Sequence, residues 1–168
     1  MKKQVIKKGK KSICHLPKFA NFGDIYSQKI KIHKSMLSTD DSCDSGWSKL
    51  WGIALGHLHW HNSYRFVYRV IQDELVIGYY AYIGGVSPQK NKNQKGSFDI
   101  RVDIGDELEM IVYFKKNKEV ALTLHNINTS QIETIVLEYP KGWKFPRTYC
   151  FPNIKCDATE NIYYDFFF

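Results

Sequence analysis

Nowhere does this chain hold apolar residues at i, i+3, i+4 and i+7 over a long stretch, whereas apolar–polar alternation keeps returning. A chain with no helical period must satisfy its backbone donors and acceptors in strands. Residues 29–36 alternate imperfectly, and 47–56 (WSKLWGIALG) read as a buried strand edged by glycine. Residues 63–71 and 75–83 flank Gln72-Asp73-Glu74 as a hairpin. Residues 97–104 alternate with Phe98, Ile100, Val102 and Ile104 facing inward. A second hairpin, 107–115 with 119–125, turns at Lys116-Asn117-Lys118; 131–138 adds a strand, and the terminal NIYYDFFF another.

Turn-rich segments separate these runs: 38–46, 87–96, and the stretch punctuated by Pro140, Gly142, Pro146 and Pro152. About ten strands joined by hairpins predict an all-β fold, an antiparallel sandwich or barrel, with the sandwich favoured. The apolar terminal strand would be a hazardous open edge, so it is expected to pair beside an early strand.

Composition suits one domain: 168 residues, 43% hydrophobic and 15% aromatic. No apolar run reaches the length of a membrane span. The net charge of +7 is misleading, because six lysines lie in the first eleven residues. Subtracting those six from +7 leaves about +1 for the rest. Residues 1–12 are therefore expected to be a disordered basic tail, able at most to touch nucleic acid weakly and non-specifically. Residues 13–168 are expected to form a single β-sandwich domain. No apolar segment follows the basic start, so no secretory signal is read and a cytoplasmic setting is expected. Cys14, Cys43, Cys150 and Cys156 form no CxxC pair and read as thiols there; in an exported chain Cys150 and Cys156 could bridge.

The strongest functional clue is residues 57–69, HLHWHNSYRFVYR. If they are extended, His57, His59, His61, Ser63, Arg65 and Arg69 share one face, opposite Leu58, Trp60, Tyr64, Phe66 and Tyr68. Arginine forks suit phosphate or carboxylate, and imidazoles and a hydroxyl add hydrogen bonds. Tyr80 and Tyr82, on the strand expected beside Arg65 and Arg69, could stack a base or sugar. The competing reading is a polar sheet face with aromatics packed as core. A shared metal is disfavoured: alternate histidines on a strand stand about 7 Å apart and the outer pair about 13 Å, too far for bonds near 2 Å. His33 and His125 would have to help, and no metal or other cofactor is expected. No Gly-x-Ser-x-Gly, GxGxxG or GxxxxGK[ST] occurs.

Several resemblances follow from these residues. The run IRVDIGDELEMIVYF, its hairpin partner and the closing strand resemble concanavalin A-like (lectin/glucanase-type) jelly rolls, which carry ligands on a concave sheet. The chain is also similar to uncharacterised phage or bacterial proteins. His33-Lys34-Ser35 and His61-Asn62-Ser63 resemble the paired His-x-Ser/Thr units of two-histidine phosphoesterases, although there the middle residue is usually apolar and the units lie farther apart. Tyr113-Phe114-Lys115 resembles the tyrosine strand of jelly-roll polysaccharide lyases, without that family's Gln-x-His.

The expected function is non-catalytic binding of an anionic, nucleotide-like ligand through His57, His59, His61, Ser63, Arg65, Arg69, Tyr80 and Tyr82. A phage protein sequestering a host signalling nucleotide fits that description. The first alternative is a phosphodiesterase or acidic-polysaccharide lyase using His59, His61 and Tyr113, with an acidic glycan as ligand. The second is a structural or interaction sandwich. No membrane partner is expected, and a homo-oligomer is allowed.

Overall fold

A computed structural model describes residues 2–10, 12, 24–38, 47–56, 61–86, 100–116, 118–140, 147–150, 152, 154, 158 and 160–167. The strands are β1 (Lys2–Ile6), β2 (Ile25–Lys31), β3 (Ser48–Leu55), β4 (Ser63–Ile71), β5 (Glu74–Tyr82), β6 (Ile100–Val102), β7 (Glu107–Phe114), β8 (Glu119–Asn126), β9 (Gln131–Glu138), β10 (Arg147–Cys150) and β11 (Ile162–Phe167). One short 3-10 helix, Lys34–Ser38, follows β2. All pairings between strands are antiparallel, in two sheets ordered β1-β11-β2-β7-β8-β9 and β10-β3-β4-β5-β6. The expected antiparallel β-sandwich is the fold.

The two sheets close on one core because their inward positions alternate with outward ones. Leu108, Met110, Val112 and Phe114 of β7 meet Tyr64, Phe66 and Tyr68 of β4, all in one apolar cluster. Side chains of this size each gain roughly 1.5–3 kcal/mol from leaving water. The buried phenols carry polar tips that need partners. Tyr64 donates to the Glu138 carbonyl at 2.7 Å, and the Tyr68 and Tyr164 hydroxyls lie 2.8 Å apart.

The β4–β5 hairpin turns on Gln72 and Asp73, at φ 51° and 64°. Positive φ at both central residues is the two-residue turn whose twist matches that of the flanking strands. Glu74 therefore belongs to β5 rather than to the turn.

Four sequence expectations need correction. The basic tail is not disordered throughout: Lys2–Ile6 pair with Ile162–Phe166 of β11. Val5 and Ile6 supply apolar positions, and Ile6 is fully buried, which offsets the ordering of a lysine-rich segment. The run 29–36 is not one strand, because β2 ends at Lys31 and the 3-10 helix begins at Lys34. Ile104 is 47% exposed rather than inward, since β6 stops at Val102 and the chain turns there. The proline-punctuated stretch contains a strand, β10, four residues long. The terminal strand does pair with early strands, lying between β1 and β2. Phe98 lies outside the described residues.

Candidate functional site

Of the expected stripe, His57 and His59 lie outside the described residues. His61 sits in a turn before β4, not in the strand. Its carbonyl accepts the Gly85 amide at 2.7 Å, and the Asn62 side-chain oxygen accepts the Gly84 amide at 2.8 Å. Gly84 and Gly85 both have positive φ, 62° and 81°, and a Cβ on Gly85 would stand 3.2 Å from the His61 ring. Glycine is thus what lets the end of β5 fold back on the start of β4. His61 lines a hollow of about 700 Å³ with Ile83, Gly84, Lys118, Glu138, Tyr139 and Pro140. That hollow is separate from the one containing His33.

From Ser63 on, the alternation holds. Tyr64, Phe66 and Tyr68 enter the core. Ser63, Arg65, Val67 and Arg69 face away from it, on the outer side of the five-stranded sheet. Both Ser63 and Arg65 are buried there, at 0% and 5% exposed. Arg69 is half-buried and lies 4.3 Å from the Trp47 ring centre, a cation–π distance.

Strand register explains what surrounds Arg65. Cys150 of β10, Gly52 of β3, Arg65 and Tyr80 of β5 form one row across the sheet. The Arg65 guanidinium hydrogen-bonds the Cys150 sulfur two strands away, with Gly52 between them in the row. Lys49 projects from the same face, opposite Val67, with its ammonium 5.9 Å from the Tyr80 ring centre. Tyr82 pairs with Ser63 in the next row, and the Tyr80 and Tyr82 hydroxyls lie 2.7 Å apart. The two rings meet edge to face at 5.0 Å between centres. Arg65 and Tyr80 are therefore direct cross-strand neighbours, as the hairpin reading required.

The electrostatics of this row are one-sided. Burial lowers the Lys49 ammonium below the usual lysine range, and the Arg65 charge lowers it further, against a smaller opposite pull from Cys150. Burial raises the Cys150 thiol, and Arg65 and Lys49 counter this only in part. The hydrogen bond with Tyr80, followed by burial, pushes the Tyr82 hydroxyl up to about 12. Among the described residues no carboxylate pairs with Arg65 or Lys49. Glu74, on the same sheet, is engaged by Arg101 at 2.8 Å. Among the described residues the buried Nε of Arg65 has no hydrogen-bond partner. A buried guanidinium beside a half-buried ammonium, with no acid between them among the described residues, costs free energy that a bound anion would recover.

Lys49 and Cys150 were missed by sequence reading. The lone lysine in the apolar run WSKLWGIALG was a usable signal. Cys150 gave none, because its strand lay in a segment read as irregular.

Among the described residues the enzyme candidates are not brought together. Tyr113 stands on the outer face of β7 in the other sheet, with the core between it and Arg65. His33 Nδ1 lies 2.9 Å from the Ser35 hydroxyl and accepts the Ser35 amide at 3.2 Å, capping the 3-10 helix. Ser35 Oγ also accepts the Tyr163 amide at 2.9 Å. His33 and Ser35 line a hollow of about 530 Å³ with Glu160 and Tyr163, while His61 lines another. The two His-x-Ser units thus do not face one substrate, as a two-histidine phosphoesterase site requires. His125 is on the outer face of β8, 3.9 Å from Glu109. Among the described residues no three His, Cys, Asp or Glu side chains are grouped to hold a metal ion. Among them, too, no helix is long and apolar enough to cross a membrane.

No protein-family model matches the chain, and no curated protein matches it. Solved structures do. A scytalido-glutamic peptidase with a transition state analog inhibitor aligns at a TM-score of 0.52 and 13% identity, over 95% of this chain and 84% of that one. Another scytalido-glutamic peptidase structure, with a peptide based transition state analog, aligns at 0.45 and 12% identity, over 97% of this chain and 65% of that one. SCP-B, a member of the Eqolisin family of peptidases in complex with the tripeptide Ala-Ile-His, aligns at 0.45 and 12%, over 97% and 64%. At 13% identity, the first of these shows a shared β-sandwich fold.

Proposed function

We propose that the outer face of the five-stranded sheet binds a small anionic ligand of nucleotide type without transforming it. The observation that carries this reading is the pair Arg65 and Lys49, neighbouring cations with no carboxylate against them among the described residues. Phosphate oxygens would take Arg65 Nε and the Lys49 ammonium, giving charge-assisted hydrogen bonds. Lys49, Tyr80 and Tyr82 are half-buried, so a ligand meets them first and Arg65 beneath. The two phenols offer a ring edge and a hydroxyl to a base or ribose. His61 lines a separate hollow with Ile83, Lys118 and Tyr139 and does not touch the ligand proposed here. The resemblance to concanavalin-type jelly rolls, which hold ligands on a sheet face, supports the location. A cytoplasmic phage protein sequestering a signalling nucleotide is the setting that best suits it.

The likeness to a peptidase structure at 13% identity carries the fold alone. On the sheet face proposed here the described acid is Glu74, which is engaged by Arg101.

The test is a thermal-shift series with inorganic phosphate, nucleoside mono- and diphosphates, and a uronic-acid oligosaccharide. A ligand at a hundredfold its Kd should stabilise by about 2.7 kcal/mol. Arg65→Met should abolish the shift. In the ligand-free state it should leave stability equal or raised by about 1 kcal/mol, since an uncompensated buried charge is removed. No shift with any anion, or a shift intact in Arg65→Met and Lys49→Met, rejects the site. Product in the recovered ligand rejects the non-catalytic part.

A further inference from the structure

A sandwich sheet normally turns polar side chains to water. The outer face of β2, β7, β8 and β9 departs from this. Ile25 is 65% exposed, Tyr113 39%, Ile132 60% and Val136 46%, and all four lie on this face. Register sorts the face into rows. Ile25, Tyr113, Ala121 and Val136 form an apolar row. Ser27, Ile111, Thr123 and Thr134 form the next, and Lys29, Glu109, His125 and Ile132 the third. β9 is also an edge strand, its far side unpaired among the described residues. Contiguous exposed apolar surface on a sheet marks an interaction site.

We infer that a second copy of this chain docks here, about a two-fold axis running along the strands between β7 and β8. This axis lays β7 on the partner's β8, and β2 on the partner's β9. Ile25 then meets the partner's Val136, and the Tyr113 ring covers the partner's Ala121. Ser27 meets the partner's Thr134, and Ile111 the partner's Thr123. Glu109 faces the partner's His125, and Lys29 lays its apolar stem on the partner's Ile132. At the hairpin end, Lys115, which lies 3.5 Å from Glu119 within one chain, also faces the partner's Glu119. Apolar meets apolar in the outer row and acid meets base at both ends, so the face is complementary to itself.

Four strands about 4.8 Å apart and seven residues long present roughly 450 Å² of projected area per copy, or roughly 900 Å² for the pair. That is the small end of specific interfaces, so the dimer is reversible and concentration-dependent.

Sedimentation of the full chain across a concentration series tests this. The unaltered chain should pass from monomer to dimer. Ile25→Glu or Val136→Lys alone should weaken association at least about tenfold. The double variant Ile25→Glu/Val136→Lys should regain it, because the new charges oppose each other across the axis. Within one chain these residues are three strands apart, about 14 Å, so an internal pair cannot account for a rescue. Thermal melts at low concentration should show both variants folded, and Ser27→Arg breaks the same contact from a polar position if one is not. A chain monomeric at every concentration overturns the inference. So does a dimer indifferent to the single changes, or a double variant that stays monomeric.

Discussion

The Tyr68 hydroxyl of β4 lies 2.8 Å from the Tyr164 hydroxyl of β11, and both residues are fully buried where the two sheets meet. Tyr68 is also hydrogen-bonded by Ser48. Removing one hydroxyl therefore has unequal consequences. Tyr68→Phe orphans the Tyr164 hydroxyl and should cost about 1–3 kcal/mol. Tyr164→Phe leaves Tyr68 its bond to Ser48 and should cost less. The double Phe variant should be less destabilised than the sum, by urea denaturation. Additive losses would show that the two hydroxyls do not act together.

Alkaline pH should unfold the protein through the same phenols. Burial, the largest cause, raises the hydroxyls of Tyr64, Tyr68 and Tyr164 above the ordinary range. A raised folded-state value for a group that is neutral when protonated contributes stability in full below the unfolded value, near 10. It is lost as pH rises through the folded value. Stability should be level in these groups up to about pH 10 and fall above it. Tyrosinate absorbance should appear in two stages, exposed phenols first and the buried set only with unfolding. A single early stage for all tyrosines would contradict the buried network.

Gly52→Ala should be among the most damaging single-methyl additions in the chain. A Cβ there would clash with the Tyr64 carbonyl oxygen and stand 2.7 Å from the Arg65 Cα, both backbone atoms that cannot swing aside. Overpacking of this kind costs about 1–3 kcal/mol, and more where backbone is hit. Gly84→Ala meets nothing within 4 Å, so only its positive φ is penalised, and it should cost about 1 kcal/mol. Comparable melting temperatures for the two variants would argue against the close β3–β4 approach.

Deleting residues 2–6 should lower the melting temperature and promote aggregation. It removes Ile6 from the core and bares the β1 side of β11, which carries Tyr164 and Phe166. Ile6→Asp should reproduce the loss, whereas Lys3→Ala, at an exposed position, should not. A deletion without effect would return this segment to the status of a loose tail.

Much of this architecture was legible in residue alternation. The hairpins 63–71/75–83 and 107–115/119–125 and the strand 131–138 were readable because one face of each packs on the core and the turns carry their own punctuation. β1 was hidden because six lysines outweigh Val5 and Ile6 in any composition argument, although pairing with β11 decides the outcome. β10 was hidden because Pro146 and Pro152 flank it. The site was half legible. Alternation placed Ser63, Arg65 and Arg69 on one face and Tyr80 beside Arg65. It could not show that Ser63 and Arg65 are buried while Lys49, Tyr80 and Tyr82 stay half-exposed, because a residue's access to water depends on the side chains of neighbouring strands. For the same reason the sequence suggested His61 as a strand residue, when its backbone is held in a turn by Gly85.

β11 is bonded on one side to β1 and on the other to β2, although β3 to β10 lie between them in the chain. Until β11 is made, β1 and β2 have an empty lane between them. A growing chain must shelter that gap while β3 to β10 are synthesised, so closure of this sheet waits on a contact between segments far apart in sequence.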